Sequence, residues 1–160
     1  MIQRIQSVFL LLLALSMLSV LVVPIWSKTD PASQGTALLT AFTLSFTSAA
    51  PGGSTLGATN TWPIAALAVA SAAVALFSIF QFRQRFTQLK LGMLNFLLIV
   101  GTIGANFYYS SQGEQLLNIK LIGTYQAGFY LPTLALMLNL LASRFIRRDE
   151  RLVRSMDRLR

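Results

Sequence analysis

Residues 62–82, WPIAALAVASAAVALFSIFQF, form a run of 21 residues that contains no Asp, Glu, Lys or Arg. An α-helix rises about 1.5 Å per residue, so a helix of this length is about 31 Å long and matches the hydrocarbon core of a bilayer, which is about 30 Å thick. Uncharged apolar runs of this length are typical of membrane spans rather than of soluble cores. The run therefore predicts a transmembrane helix.

Three other runs, of 19 residues each, also lack charge: residues 8–26, 91–109 and 125–143. The whole chain has a mean hydropathy of +0.62. Charged residues make up only 11% of it, well below the roughly 25% of ordinary soluble domains. We predict an all-α membrane protein in which residues 1–160 form one integral membrane domain with four transmembrane helices.

The first run has an alternative interpretation as a cleaved signal peptide, because Arg4 precedes an apolar stretch close to the start of the chain. The apolar stretch is long for a signal core, and the PIWSKTDPAS that follows it, residues 24–33, contains no convincing small-x-small cleavage site. We therefore favour an uncleaved anchor.

Basic residues are distributed unevenly between the predicted loops. With both termini in the cytoplasm, the inner side carries eleven basic residues and the outer side carries Lys28 and Lys120. The eleven are Arg4, Arg83, Arg85, Lys90, Arg144, Arg147, Arg148, Arg151, Arg154, Arg158 and Arg160. Because short cytoplasmic loops are enriched in Lys and Arg, we predict cytoplasmic termini, outer loops at residues 27–61 and 110–124, and a cytoplasmic tail at residues 144–160.

The predicted outer loops contain segments with the period of a β-strand. In LLTAFTLSFT, residues 38–47, and in EQLLNIKLIG, residues 114–123, apolar and polar residues alternate. We predict that these segments pair outside the membrane as a small sheet whose apolar face lies on the helix ends. Two unstructured loops that touch lipid headgroups are an equally supported alternative. Residues 48–61, rich in Gly, Ser and Thr, are predicted to be a flexible connector.

Aromatic residues mark the outer ends of the predicted spans. Trp26 and Trp62 lie at the ends of the first two, and Tyr108, Tyr109 and Tyr125 occupy the same depth on the others. Amphipathic aromatic rings favour the boundary between membrane and water. We interpret these residues as interfacial anchors rather than as a ligand site.

Three asparagines are among the few polar residues within the predicted spans. Asn95 and Asn106 lie on the third span and Asn139 on the fourth. Asn95 and Asn139 both lie in the cytoplasmic half of their spans, where their carboxamides are placed to meet. Such hydrogen bonds contribute about 0.6 kcal/mol on average and up to about 2 kcal/mol. We interpret the three asparagines as interhelical polar contacts, with a substrate contact as the alternative.

The chain ends in RRDERLVRSMDRLR, residues 147–160, in which apolar residues recur at helical spacing. This pattern predicts a basic amphipathic cytoplasmic helix. Its net charge favours the anionic inner leaflet, and its apolar stripe and acids favour a protein partner. Nucleic acid is disfavoured because no aromatic residue is interleaved with the arginines. The predicted contact residues are Arg147, Arg148, Arg151, Leu152, Val153, Arg154, Met156, Arg158 and Leu159.

The start MIQRIQSVFLLLLA, residues 1–14, and the end IRRDERLVRSMDRLR, residues 146–160, resemble a family of small four-span membrane proteins from Bacteroidota-type bacteria, domain of unknown function 4293. The resemblance lies in an opening MIQRIQ with an apolar run and in a basic-acidic closing segment. It implies a protein of the bacterial inner membrane with no assigned activity, and it therefore assigns no catalytic residue. The positions that fall on the closing motif are Asp149, Glu150, Leu152, Val153, Arg154, Ser155, Asp157, Arg158, Leu159 and Arg160.

Cysteine and histidine are absent and only five residues are acidic, which removes disulfides, thiolate metal sites and imidazole acid–base chemistry. We therefore predict no catalytic residue, cofactor or metal site. The predicted role is a non-catalytic accessory, scaffolding or assembly subunit that packs against a larger membrane partner. The predicted partners are the anionic lipids of the inner leaflet and either another membrane protein or further copies of the chain. The alternative is a small oligomeric transporter or lipid-handling protein with Asn95, Asn106 and Asn139 along its path.

Overall fold

The structure, a computed structural model, describes residues 2–30, 35–48, 55–81, 84–116 and 121–157. Its helices are α1 (Ile2–Ser19), α2 (Trp62–Phe80), α3 (Arg85–Leu116) and α4 (Ala127–Asp157). Its strands are β1 (Trp26–Asp30), β2 (Gly35–Leu39), β3 (Thr43–Ser48), β4 (Thr55–Asn60) and β5 (Thr124–Tyr125). The chain is mostly helical, with one small sheet.

The four helices pack as a bundle in which α1 and α3 each contact both α2 and α4. Among the described residues, three helices are long and apolar enough to cross a membrane, over Trp62–Phe80, Phe86–Gln115 and Ala127–Asp149. The first helix supplies a shorter apolar segment, Ile5–Ser19. These lengths and compositions indicate a membrane protein.

The first helix ends earlier than predicted. It stops at Ser19, whereas the predicted span continued to residue 26. A helix cannot continue unbroken through Pro24, because proline lacks the N–H and its ring disfavours a helical conformation in the residue before it. After the turn, Ile25 donates its N–H to the carbonyl of Leu39 at 2.8 Å, and the chain enters β1.

Helices α3 and α4 are longer than the predicted spans. Helix α3 has 32 residues and α4 has 31, which corresponds to about 48 and 46 Å. Helix α3 exceeds the predicted span 91–109 at both ends, and α4 continues well past residue 143. Both helices are therefore longer than the hydrocarbon core alone requires.

The strands form one antiparallel sheet in the order β4-β3-β2-β1-β5. Residues 38–47, predicted as one strand, are a hairpin: β2 ends at Leu39 and β3 begins at Thr43. Thr40 donates its backbone N–H to the Thr43 carbonyl at 2.9 Å, and its hydroxyl accepts the Thr43 N–H at 3.1 Å. Threonine hydroxyls stabilise turns in this way. An alternating pattern of apolar and polar residues does not reveal such a turn.

The other predictions for the outer loops were wrong in position. In segment 114–123, α3 continues through Leu116, residues 117–120 lie outside the described residues, and the strand that forms is β5, which pairs with β1. Residues 48–61, predicted as a flexible connector, contain β4, which pairs with β3. This Gly- and Thr-rich segment lacks the apolar alternation that predicts a strand, because β4 is stabilised by main-chain hydrogen bonds and not by a buried apolar face. The predicted small β element exists, so the all-α description is incomplete.

One face of the sheet packs on the bundle, as predicted. Alternate residues of β1 and β2 are buried, and Trp26, Leu39 and Leu44 belong to the same buried cluster as Met17 and Ile64 of the helices. Trp26 is only 1% exposed, so its predicted role as an interfacial anchor is wrong. The prediction failed because Trp26 lies at the end of an apolar run in the sequence, whereas in the structure it is on a strand and faces inward.

Backbone hydrogen bonds tie the start of α4 to the turn after α1. Gln126 donates its N–H to the Ile25 carbonyl at 2.9 Å, and Gly128 donates its N–H to the Pro24 carbonyl at 3.0 Å. The two segments approach so closely at Gly128 that a Cβ there would lie 2.6 Å from the Pro24 oxygen. Only glycine fits this contact.

The outer surface of the bundle is apolar. Large apolar side chains are exposed on all four helices, among them Val8, Phe77, Phe80, Met93, Leu97 and Met137. Water-soluble monomers rarely expose a contiguous apolar surface of this extent. The exposed belt is the surface that a surrounding lipid phase would cover.

Candidate functional site

Helix α3 directs polar side chains into the bundle. The residues that are buried along it recur every three or four positions: Gln88, Gly92, Asn95, Ile99, Thr102, Asn106, Ser110 and Gly113. Only Ile99 in this series is a large apolar residue, whereas Met93, Leu97 and Phe107 of the same helix are exposed. Helix α3 is therefore polar on its inner side and apolar on its outer side, the reverse of a helix in a soluble protein.

Two of the predicted asparagines bond across helix interfaces, with partners that differ from the expected one. Asn95 Oδ1 accepts a hydrogen bond from Ser71 Oγ of α2 at 2.6 Å, and Asn139 Nδ2 donates to the Gly92 carbonyl of α3 at 2.9 Å. Asn95 and Asn139 do not bond to each other, since Asn95 Nδ2 and Asn139 Oδ1 have no partner among the described residues. Gly92 explains this choice, because the lack of a side chain leaves its carbonyl open to α4.

The third asparagine, Asn106, is fully buried. Neither its Oδ1 nor its Nδ2 has a hydrogen-bond partner among the described residues. A buried polar group without a partner costs about 1–3 kcal/mol. Asn106 is therefore a position where polarity opposes stability, unlike Asn95.

Replacing Asn106 by leucine is expected to raise the free energy of unfolding by about 1 kcal/mol, because the substitution removes two unpaired buried atoms. Asn95→Leu is the matched comparison, and it is expected to lower the same quantity by about 1 kcal/mol through loss of the Ser71 bond. The measurement is unfolding of the purified protein in mixed micelles of rising SDS content, followed by circular dichroism. A large destabilisation by Asn106→Leu would show that its carboxamide has a partner, such as a bound water.

The basic tail predicted as a separate amphipathic helix is the end of α4, which runs without a break to Asp157. Arg147 and Arg148 are exposed on it. The same helix also carries the predicted contact residues Arg151, Leu152, Val153, Arg154 and Met156. Arg158 and Leu159 lie outside the described residues. A continuous helix projects about 20 Å beyond Arg144 along the direction of α4, whereas a helix lying flat on the leaflet would require a bend.

Two adjoining cavities lie at this basic end, the first between α3 and α4 and the second along α4. One, of about 370 Å³, is lined by Lys90 on α3 and by Asn139, Ser143 and Arg147 on α4, with apolar walls. The other, of about 620 Å³, shares Ser143 and Arg147 and adds two further arginines, Arg144 and Arg148. We refer to the two together as the basic groove. Sequence analysis missed Lys90, Ser143 and Arg144 as site residues, although Lys90 and Arg144 were already counted among the inner charges.

An ion pair is buried at the opposite end, beneath the sheet. Lys28 Nζ of β1 lies 2.7 Å from Glu114 Oε2 of α3, where the Lys28 side chain is 1% exposed and that of Glu114 34%. Lys28 also donates to the Glu114 carbonyl at 3.1 Å, and Glu114 Oε1 accepts the Gly123 N–H at 2.7 Å. Sequence analysis missed this cluster, because only the strand register reveals that Lys28 faces inward.

The Trp26 ring lies between two glycines beside this ion pair. A Cβ added at Gly113 would lie 2.6 Å from the ring, and one added at Gly123 would lie 2.3 Å from it. The glycines form a slot that accepts the ring of Trp26. The ring, α3 and the segment before β5 are therefore packed without intervening side chains.

No group of three or more His, Cys, Asp or Glu residues that could hold a metal ion occurs among the described residues. The apolar belt, the polar interior and the basic end together define a helical membrane protein whose bundle is covered at one end by a sheet. The chain belongs to the family described as domain of unknown function (DUF4293), whose sequence model matches residues 2–159. No curated protein matches the chain.

Proposed function

We propose that this protein is a four-span integral protein of the bacterial inner membrane, with one membrane domain and both termini in the cytoplasm. Its role is that of a non-catalytic accessory, scaffolding or assembly subunit that presents the end of α4 to a larger membrane protein. The observation that carries the proposal is the unbroken course of α4 from an apolar span into a projecting basic segment.

The charge distribution supports the orientation. The sheet end of the bundle holds Lys28 in a buried ion pair, so this lysine adds little to the net charge of its side. The opposite end carries exposed Lys90, Arg144, Arg147 and Arg148. The positive-inside rule places that end in the cytoplasm. The apolar segment of α1, Ile5–Ser19, corresponds to about 22 Å, so a span at α1 requires local thinning of the bilayer.

The orientation is testable by cysteine labelling, because the natural chain has no cysteine. Thr59→Cys places a thiol at an exposed position of β4, Gln84→Cys places one between α2 and α3, and Ser155→Cys places one on the tail. A membrane-impermeant maleimide is expected to label Thr59→Cys in intact spheroplasts and the other two only after permeabilisation. Labelling of Ser155→Cys in intact spheroplasts would refute the proposed topology.

The accessory role is testable by purification in mild detergent after in vivo crosslinking. A defined complex with one other membrane protein is expected, and Arg147→Glu with Arg148→Glu is expected to abolish it while the thermal stability of the bundle stays unchanged. Thr36→Glu, an exposed position of β2 at the opposite end, is the control and is expected to retain the complex. Recovery of a homo-oligomer alone would contradict the role.

A second candidate function, lipid handling, is favoured by the basic groove, which combines cations with apolar walls at the edge of the spans. The oligomeric transporter form of this alternative has less support. Asn95, Asn106 and Asn139 are all buried within one bundle, so a path along them would run through a single chain rather than between copies.

A further inference from the structure

We propose that the basic groove binds an anionic phospholipid, with the headgroup phosphate between Lys90 and Arg147 and an acyl chain against the apolar wall. The proposed orientation decides only which leaflet supplies the lipid, and in that orientation it is the cytoplasmic leaflet. The site does not rest on the accessory role.

The cations of the groove converge from two helices. Arg144, Arg147 and Arg148 are spaced by three and four residues, so they lie on one side of α4. Lys90 of α3 lines the smaller cavity together with Arg147. Lys90 Nζ lies 4.6 Å from the centre of the Phe86 ring, which holds the ammonium group at the edge of the groove. Arginine forks bind phosphate oxygens in pairs, and a lysine adds a point charge.

No acidic side chain lines either cavity among the described residues. The cations that line the two cavities repel one another and attract an anion. The phosphate diester of a lipid supplies that charge at the depth where the headgroups lie. Basic pockets between transmembrane helices on the cytoplasmic side commonly bind anionic lipid headgroups.

The apolar wall explains why the anion belongs to a lipid rather than to a soluble compound. Met93 is 72% exposed and Leu140 50% exposed, and both line the groove together with Phe96. These residues lie on the bilayer side of Lys90 and Arg147 along α3 and α4. An acyl chain that continues from the phosphate would therefore lie along this wall and cover it.

Two polar groups on α4 add hydrogen-bonding capacity beneath the cations. Asn139 is 2% exposed, its Oδ1 has no partner among the described residues, and its side chain lines the groove. Ser143 lines the groove beside it, and a Cβ at Gly92 would lie 3.0 Å from the Ser143 Oγ. Ser143, which lines both cavities, is placed to donate its hydroxyl to an oxygen of the phosphate or of an acyl ester.

The test is native mass spectrometry of the full chain in neutral detergent, titrated with phosphatidylglycerol or with phosphatidylcholine of the same acyl chains. Phosphatidylglycerol is expected to bind at least tenfold more tightly. Lys90→Gln with Arg147→Gln is expected to weaken its binding about 25-fold, since each cation near an anionic headgroup contributes about fivefold. Thr36→Glu with Thr59→Glu, at exposed positions of the sheet, lowers the net charge by the same two units and is expected to change the affinity less than twofold.

Three results would overturn the site: equal affinity for the two lipids, unchanged phosphatidylglycerol binding in the double variant, or equally tight binding of soluble glycerol 3-phosphate. Thermal unfolding of the double variant in phosphatidylcholine nanodiscs is expected to match that of the natural chain, which separates lost binding from lost folding. Cysteine labelling tests the topology independently. A failed lipid titration with the expected labelling pattern would therefore reject this site alone.

Discussion

Trp26→Ala is expected to lower the free energy of unfolding by about 3–5 kcal/mol, the usual cost of removing a large buried aromatic side chain. The ring is 1% exposed, and it fills the slot between Gly113 and Gly123. Its removal leaves a cavity that two glycines cannot fill, because neither has a side chain to move into the space. SDS-induced unfolding followed by circular dichroism measures the change.

The same slot is expected to reject added volume. Gly123→Ala would place a Cβ 2.3 Å from the Trp26 ring, and overpacking of this kind costs about 1–3 kcal/mol. Gly104→Ala is the matched control, because nothing lies within 4 Å of a Cβ at that position. In a helix that substitution is expected to be neutral or to stabilise by up to about 1 kcal/mol. Equal effects of the two alanines would show that the slot does not exist.

The second large effect is expected at the ion pair beneath the sheet, and it should be asymmetric. Glu114→Gln leaves the ammonium of Lys28 charged at 1% side-chain exposure, and an uncompensated buried charge costs about 3–5 kcal/mol. Lys28→Met leaves Glu114 with a side chain 34% exposed, so water can solvate the carboxylate. The loss from Lys28→Met is therefore expected to be smaller, about 1 kcal/mol.

The double variant Lys28→Met with Glu114→Leu is expected to recover most of the stability lost in Glu114→Gln, because apolar replacements of a buried pair are often neutral. A double-mutant cycle on the unfolding free energies gives the coupling between the two side chains. Glu150→Gln on the tail removes the same charge and is expected to change stability by less than about 0.5 kcal/mol. Equal losses from the two single variants would contradict the burial of Lys28.

The helical content of this protein follows directly from its local sequence. A run such as 62–82 has no charge and the length of a bilayer, so its structure depends on composition alone and not on any distant partner. Family membership likewise rests on local sequence, since the two ends that carried the resemblance belong to a match over residues 2–159. Pro24 is also a local signal that α1 ends before it, although the predicted span continued through this residue.

The sheet and the site were harder to predict because they depend on contacts between distant residues. Lys28 meets Glu114 across 86 positions, and β5 joins β1 through a register that joins Trp26 to Tyr125. Nothing near Lys28 in the chain shows that it faces inward, because a shift of one residue in register would turn it to the solvent. The basic groove also depends on contacts between distant residues, since Lys90 and Arg147 come together only where α3 and α4 pack.

The sequence by itself determined the apolar spans, the uneven distribution of cations and the family, because each depends on residues close together in the chain. Only the tertiary structure decided which amides pair, where Trp26 lies, and that the basic tail belongs to the same helix as the last span. These features arise from packing and strand register, which sum weak interactions over residues far apart in the chain. No local pattern specifies those interactions.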